Sequence, residues 1–329
     1  MCASSVTKHA ERARRARAVL LALACLGGTA GADDNASEWL RAMHDATRRL
    51  NYDGVFVYQR GTQLDSMRLV HKYAEAGEQE RLISLSGPAR EVLRDGSRVT
   101  CLFADDQAAM VEKNAPRDLI GIGFTAPLDK LLGSYRFGIE GRDRVAGRAA
   151  TVIGVTPLTP DRYAYKLWID EASKLLVRSV IIDQHGSPLE QVQFTSISIL
   201  DDVPAALLEP ELAGSDFAWR TTADPPPEPA GDTGWRTAWV PSGFELQDSK
   251  VQRMATSRMP VSHMVYSDGL AMVSVFVEAM LDGEQALQGY SSRGAVNTFS
   301  RKDGDHQITV VGEVPLQTVS RIAAGVTKR

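Results

Sequence analysis

Residues 163–199, YAYKLWIDEASKLLVRSVIIDQHGSPLEQVQFTSISI, constrain the fold most, because they read as three antiparallel strands in direct succession. The runs 163–170, 175–183 and 189–199 are rich in β-branched, aromatic and aliphatic residues, and each closes on a short polar connection. In the first run Tyr163, Tyr165, Leu167 and Ile169 alternate with Ala164, Lys166, Trp168 and Asp170, so successive side chains fall on opposite faces of a sheet. Gly186 supplies the turn after the second run, and Pro188 fixes the start of the third. The predicted unit is a meander, and it carries no evident catalytic group.

Period-two patterning extends back from the meander to about residue 54, with turn signals at Arg60-Gly61-Thr62-Gln63, Ala76-Gly77-Glu78, Asp95-Gly96 and Asp105-Asp106. A helix is expected before it, capped by Asn35 or Ser37, with Leu40, Met43, Thr47 and Leu50 on one face. A short helix is expected from Pro127. Residues 223–232, ADPPPEPAGD, interrupt this pattern and mark an exposed linker. Beyond it, strands are expected over 244–254, 261–267, 270–278 and 306–314, with Asp268-Gly269 as a two-residue hairpin turn. A last helix from Pro315 would carry Leu316, Val319, Ile322, Ala323 and Val326 on one stripe.

The first 32 residues read as an export signal: a basic start, an apolar run over 18–26 and a small-residue cleavage site at Ala30-Gly31-Ala32. They hold five basic side chains (Lys8, Arg12, Arg14, Arg15, Arg17) and one acid (Glu11), so the overall charge of −4 leaves −8 on the remainder. A net acidic protein has no overall attraction to nucleic acid, and none is expected as a partner. After cleavage Cys101 is the one cysteine left, which excludes an internal disulfide. The expected divisions are therefore a signal peptide over 1–32, a large domain over 33–218, a linker over 219–234 and a small domain over 235–329. The expected fate is export.

Signatures of chemistry are missing. The sequence has no HExxH, no GxSxG and no cysteine pair at metal spacing, and the histidines outside the signal are scattered singly. Gly121-Ile122-Gly123-Phe124-Thr125-Ala126 fits a dinucleotide fingerprint in letters only, since a polar loop precedes it where a strand is required. No catalytic residue, metal or cofactor is expected.

Several runs resemble the MucB/RseB family: Asn51-Tyr52-Asp53-Gly54-Val55-Phe56-Val57-Tyr58, Met67-Arg68-Leu69-Val70-His71, Gly87-Pro88-Ala89-Arg90-Glu91-Val92, Arg144-Val145-Ala146-Gly147-Arg148 and Leu167-Trp168-Ile169-Asp170. The likeness continues through Ser267-Asp268-Gly269-Leu270-Ala271, Phe276-Val277-Glu278 and Val310-Val311-Gly312-Glu313-Val314-Pro315. It departs at Glu171-Ala172-Ser173-Lys174, where the family pattern has Thr-Gly.

The resemblance implies a mostly β, α+β fold. Its large domain would be an unclosed, curved antiparallel sheet with helices on the concave side, like lipoprotein carriers, followed by a small antiparallel sheet with a helix. It also implies a periplasmic negative regulator of the sigma-E, AlgU-type envelope stress response. Such a protein binds the periplasmic region of a MucA/RseA-like transmembrane anti-sigma factor and shields it from proteolysis, until lipopolysaccharide or another acylated lipid releases it. A homodimer is left open, and a lipid or lipoprotein carrier is the alternative. Lipid-lining candidates are Val55, Val57, Met67, Leu69, Leu102, Trp168, Val177 and Val192. Partner-binding candidates are Asp268, Gly269, Leu270, Phe276, Glu313 and Val314.

Overall fold

A computed structural model describes residues 30–74, 77–105, 108–113, 128–212, 217–221, 233–254, 257, 259–281 and 283–329, with side chains described from Asn35 onward except at 112–113 and 220–221. Helix α1 (Ala30–Arg49) leads into β1 (Asn51–Arg60), β2 (Gln63–Lys72), β3 (Gln79–Ser84), β4 (Arg90–Asp95), β5 (Arg98–Phe103) and β6 (Ala108–Lys113). The one-turn helix α2 (Leu128–Leu131) precedes β7 (Tyr135–Val145), β8 (Arg148–Pro157), β9 (Ala164–Asp170), β10 (Leu176–Ile182), β11 (Pro188–Leu200) and β12 (Ala218–Thr221). These strands form one sheet in the order β12-β6-β5-β4-β3-β2-β1-β11-β10-β9-β8-β7. All neighbours are antiparallel except β12, which runs parallel to β6.

The sheet is strongly curved. In a flat sheet β7 and β11, four places apart, would lie ~19 Å from each other, whereas here their Cα atoms approach within 8 Å. Helix α1 lies on the inner face. It buries Ala36, Leu40 and Met43 against Tyr135, Phe137, Ile153, Val155, Leu167 and Ile169 of β7–β9, and Ala46 against Tyr52, Phe56 and Leu69 of β1 and β2. The helix begins several residues earlier than the expected caps Asn35 and Ser37, and Ser37 is buried within it.

The predicted alternation along β9 holds. Tyr165, Leu167 and Ile169 face inward, while Trp168 packs outside with Val152, Val177 and Val180. The outer face of β2–β5 is covered by the chain leaving β11. Arg81, buried, forks onto Glu91 at 3.1 and 3.0 Å, and the Glu211 amide donates to the same carboxylate at 3.1 Å.

The second unit contains β13 (Trp235–Thr237), β14 (Glu245–Gln252), β15 (Val261–Ser267), β16 (Met272–Ala279), β17 (Gly289–Arg293), β18 (Val296–Asp303), β19 (His306–Gly312), α3 (Leu316–Ala324) and β20 (Val326–Lys328). Six strands form an antiparallel sheet in the order β14-β15-β16-β19-β18-β17, and β13 pairs with β20 beside it. Val273, Val275, Val277, Ile308 and Val310 face α3, which contributes Val319, Ile322 and Ala323. The predicted stripe is present, but Val326 joins it from β20 because the helix ends at Gly325. The expected linker 219–234 begins inside β12, and residues 222–232 lie outside the described residues.

Candidate functional site: the junction of the two sheets

The two sheets meet through short turns of the small unit that reach the rim and inner face of the large one. The first is the loop between β15 and β16. Asp268 accepts the amides of Leu270 at 3.0 Å and Ala271 at 2.8 Å on one carboxylate oxygen, which shapes a four-residue loop and not the expected two-residue hairpin. Its other oxygen accepts Arg162 Nε at 2.6 Å and the Tyr135 hydroxyl at 3.0 Å. Both side chains of this ion pair are 1 % exposed. Next to it, Leu270 packs against the inner-face cluster formed by α1, α2 and β7–β9.

Arg162 is held from every side. Thr159 Oγ1 and Ser134 Oγ accept from it within the large unit, and the Ser242 carbonyl accepts from the small unit. Its guanidinium stands 4.9 Å from the Phe244 ring centre and 5.7 Å from that of Tyr135. Two charges without water are costly unless fully hydrogen-bonded, and here the remaining donors and lone pairs have partners. Burial first, and then nearby negative charge including Asp268, holds the Tyr135 hydroxyl far above the ordinary tyrosine range, so it stays a donor.

A second contact lies at the turn between β17 and β18. Buried Glu190 accepts the Tyr58 hydroxyl within the large unit and the Ala295 amide at 2.8 Å from the small one. Asn297 donates to the Tyr163 hydroxyl at 2.7 Å and to the Val314 carbonyl at 2.7 Å, and Thr318 donates to the Asp161 carbonyl at 3.1 Å. Burial and then Glu190 raise the Tyr58 hydroxyl, and the charge of Glu313 adds to this.

Glycine is required at both contacts. Gly243 (φ +88°) and Gly294 (φ +62°) adopt a conformation that side chains disfavour, and a Cβ at either would strike the large unit. At Gly243 it would meet Ser134; at Gly294 it would meet Glu190 and Arg60.

The predicted site residues divide accordingly. Met67, Leu69 and Val192 face inward around Phe56 and Phe194, in the part of the sheet reached by the end of α1. Strand register puts Val55, Val57, Leu102 and Trp168 on the outer face, and Val177, at a bulge, packs there with Trp168. The eight lining candidates therefore do not share one surface. Trp168 donates to Asp143 at 2.8 Å and stacks under Arg178, with 4.2 Å between guanidinium and ring centre.

Among the partner candidates, Asp268, Gly269 and Leu270 form the turn at the junction, and Glu313 and Val314 lie beside Asn297. Phe276 is apart from them, stacked on His263 at 4.4 Å on the open face of the small sheet. Sequence reading missed Arg162, Tyr135, Tyr58, Glu190 and Asn297. Their contacts across the junction, and the Tyr58–Glu190 pair within the large unit, join residues 80 to 134 apart in the chain, and no local motif signals such pairings. Among the described residues no group of three or more His, Cys, Asp or Glu side chains could hold a metal ion.

Comparisons agree over both units. Residues 35–212 match the MucB/RseB N-terminal domain and residues 229–327 the MucB/RseB C-terminal domain. The chain is 33% identical over 321 residues to the sigma factor AlgU regulatory protein MucB of Pseudomonas aeruginosa, covering 94% of this chain and 95% of that protein. It is 28% identical over 294 residues to the sigma-E factor regulatory protein RseB of Escherichia coli K12, covering 87% and 89%. A structure of the Pseudomonas aeruginosa MucA/MucB complex superposes with a TM-score of 0.73 at 30% identity, covering 90% of this chain and 99% of that one. A structure of MucB by itself superposes at 0.63 with 27% identity, covering 90% and 98%. With both halves matched in order and the two-sheet architecture shared, the chain belongs to the MucB/RseB family.

Proposed function

We propose that this chain is a periplasmic regulatory binding protein. It holds the periplasmic region of a MucA/RseA-like anti-sigma factor, shields it from regulated proteolysis and so restrains an envelope-stress sigma factor. The observation that carries this reading is the match of both units, in order, to a protein solved in complex with MucA. The scarcity of catalytic signatures in the sequence favours a binding role over a hydrolytic one. Residues 1–32 serve as the export signal in this reading, and the boundary between the units lies between β12 and β13. The test uses the chain without its first 32 residues and the periplasmic segment of a MucA/RseA-like anti-sigma factor from the same organism. Binding, together with slower cleavage of that segment by its regulatory protease, is expected; neither binding nor protection would refute the role.

Acylated lipid, including lipopolysaccharide, is the proposed releasing ligand. The inner face supports this, because Phe56, Met67, Leu69, Leu82, Val192 and Phe194 form one apolar cluster on the inner side of a curved sheet. The same surface favours a lipid or lipoprotein carrier as the second reading. That reading predicts net transfer of acylated cargo between vesicles, which a regulator does not need to perform.

A further inference from the structure

We propose that the β15–β16 loop is a built-in plug of the large unit's inner face, which an acyl chain must expel in order to bind. The inference rests on the lipid-responsive reading above and adds the device through which the response would run. Leu270 is an apolar side chain from the small unit, yet it packs against the large unit's own inner cluster with Leu131, Tyr135 and Phe137. An aliphatic side chain in that position fills apolar volume of the kind an acyl chain would take. Two residues away, Asp268 is fixed to Arg162 and Tyr135, so Leu270 cannot leave while that ion pair stands. Plug and latch are parts of one four-residue loop.

Two ligands for one surface exclude each other, and the exclusion is reciprocal. An acyl chain at this end of the inner face weakens the hold of the small unit, and a firmly latched small unit weakens acyl binding by the same factor. Release of the loop also frees the other small-unit contacts at Glu190 and Tyr163, since they belong to the same rigid sheet. The large unit would thus report lipid as a change in the position of the small one.

A reversible lock tests this. A Cβ built at Gly243 lies 3.9 Å from the Cβ of Ser134, within the 3.5–4.5 Å range of disulfides. The Ser134→Cys/Gly243→Cys variant, made in a Cys101→Ser background, should therefore join the units when oxidised. The probe is cis-parinaric acid, a fluorescent long-chain fatty acid, titrated into the chain lacking residues 1–32. The oxidised protein is expected to lose probe binding at least ~10-fold and to regain it with reductant, and Leu270→Ala is expected to bind the probe several-fold more tightly than the parent.

The strain of a cysteine at φ +88° is present in both redox states, so the comparison isolates the lock. Equal affinity of the oxidised and reduced forms, with a parent that binds, would overturn the plug and leave the lipid-responsive reading standing. No probe binding by the parent, the reduced variant or Leu270→Ala would overturn both.

Discussion

Among single residues, His71 shows how burial becomes a dependence on pH. It is 1 % exposed, stacked on Tyr52 at 4.8 Å, with Nδ1 2.7 Å from the Leu50 carbonyl. Burial pushes its pKa below the usual histidine value, more than the Leu50 carbonyl and Glu78 raise it. The folded state therefore keeps the ring neutral where the unfolded chain takes up a proton. Stability from this residue is fully present above the unfolded value of ~6.5 and is lost as pH falls below it, at no more than ~1.4 kcal/mol per pH unit. His263 has the same sign, from burial first and Lys250 second. We expect His71→Phe to flatten the fall in urea midpoint between pH 7.5 and 5.5; an unchanged slope would show that the ring titrates normally when folded.

For the elements, strand existence and sidedness were legible, and the reason is local. Tyr165, Leu167 and Ile169 against Trp168 is a period-two pattern that any sheet must satisfy, whatever its neighbours. What could not be read was which face becomes the inner one, because that depends on where α1 lands and how far the sheet bends. Val55 and Val57 look as suitable for a lining as Phe56 does, yet register turns them outward. The strands β17 and β18 were missed because residues 289–303, GYSSRGAVNTFSRKD, are too polar to show a run of apolar alternation. Their turn is nonetheless critical. Gly294→Ala would force a Cβ onto Glu190 and Arg60 and hold alanine at φ +62°, costing about 1–3 kcal/mol in backbone strain alone. A lower thermal midpoint and loss of the Ala295–Glu190 contact are expected; a midpoint within error of the parent would mean that the turn shifts freely.

The whole molecule is two sheets joined by a dry, charged contact, and its Arg162–Asp268 pair was invisible in the sequence because its members lie 106 residues apart. Removing one member of such a pair leaves an uncompensated buried charge, a loss of about 3–5 kcal/mol. In Arg162→Met that loss can be relieved by separating the units, which returns Asp268 to water. The expected outcome in small-angle scattering is a larger radius of gyration than the parent, with both sheets still folded by circular dichroism. An unchanged radius would show that the remaining contacts hold the junction alone.

An unclosed sheet of twelve strands has one further consequence. Among the described residues it ends in two edges, one the four-residue β12 and the other the eleven-residue β7. Along β7 the six residues Ile139, Glu140, Gly141, Arg142, Asp143 and Arg144 are all exposed, four of them charged, and a register shift interrupts the ladder between Ile139 and Gly141. A bulged edge crowded with charge is a poor template for another strand. The curved sheet can therefore stay unclosed without its β7 rim recruiting copies of itself into aggregates.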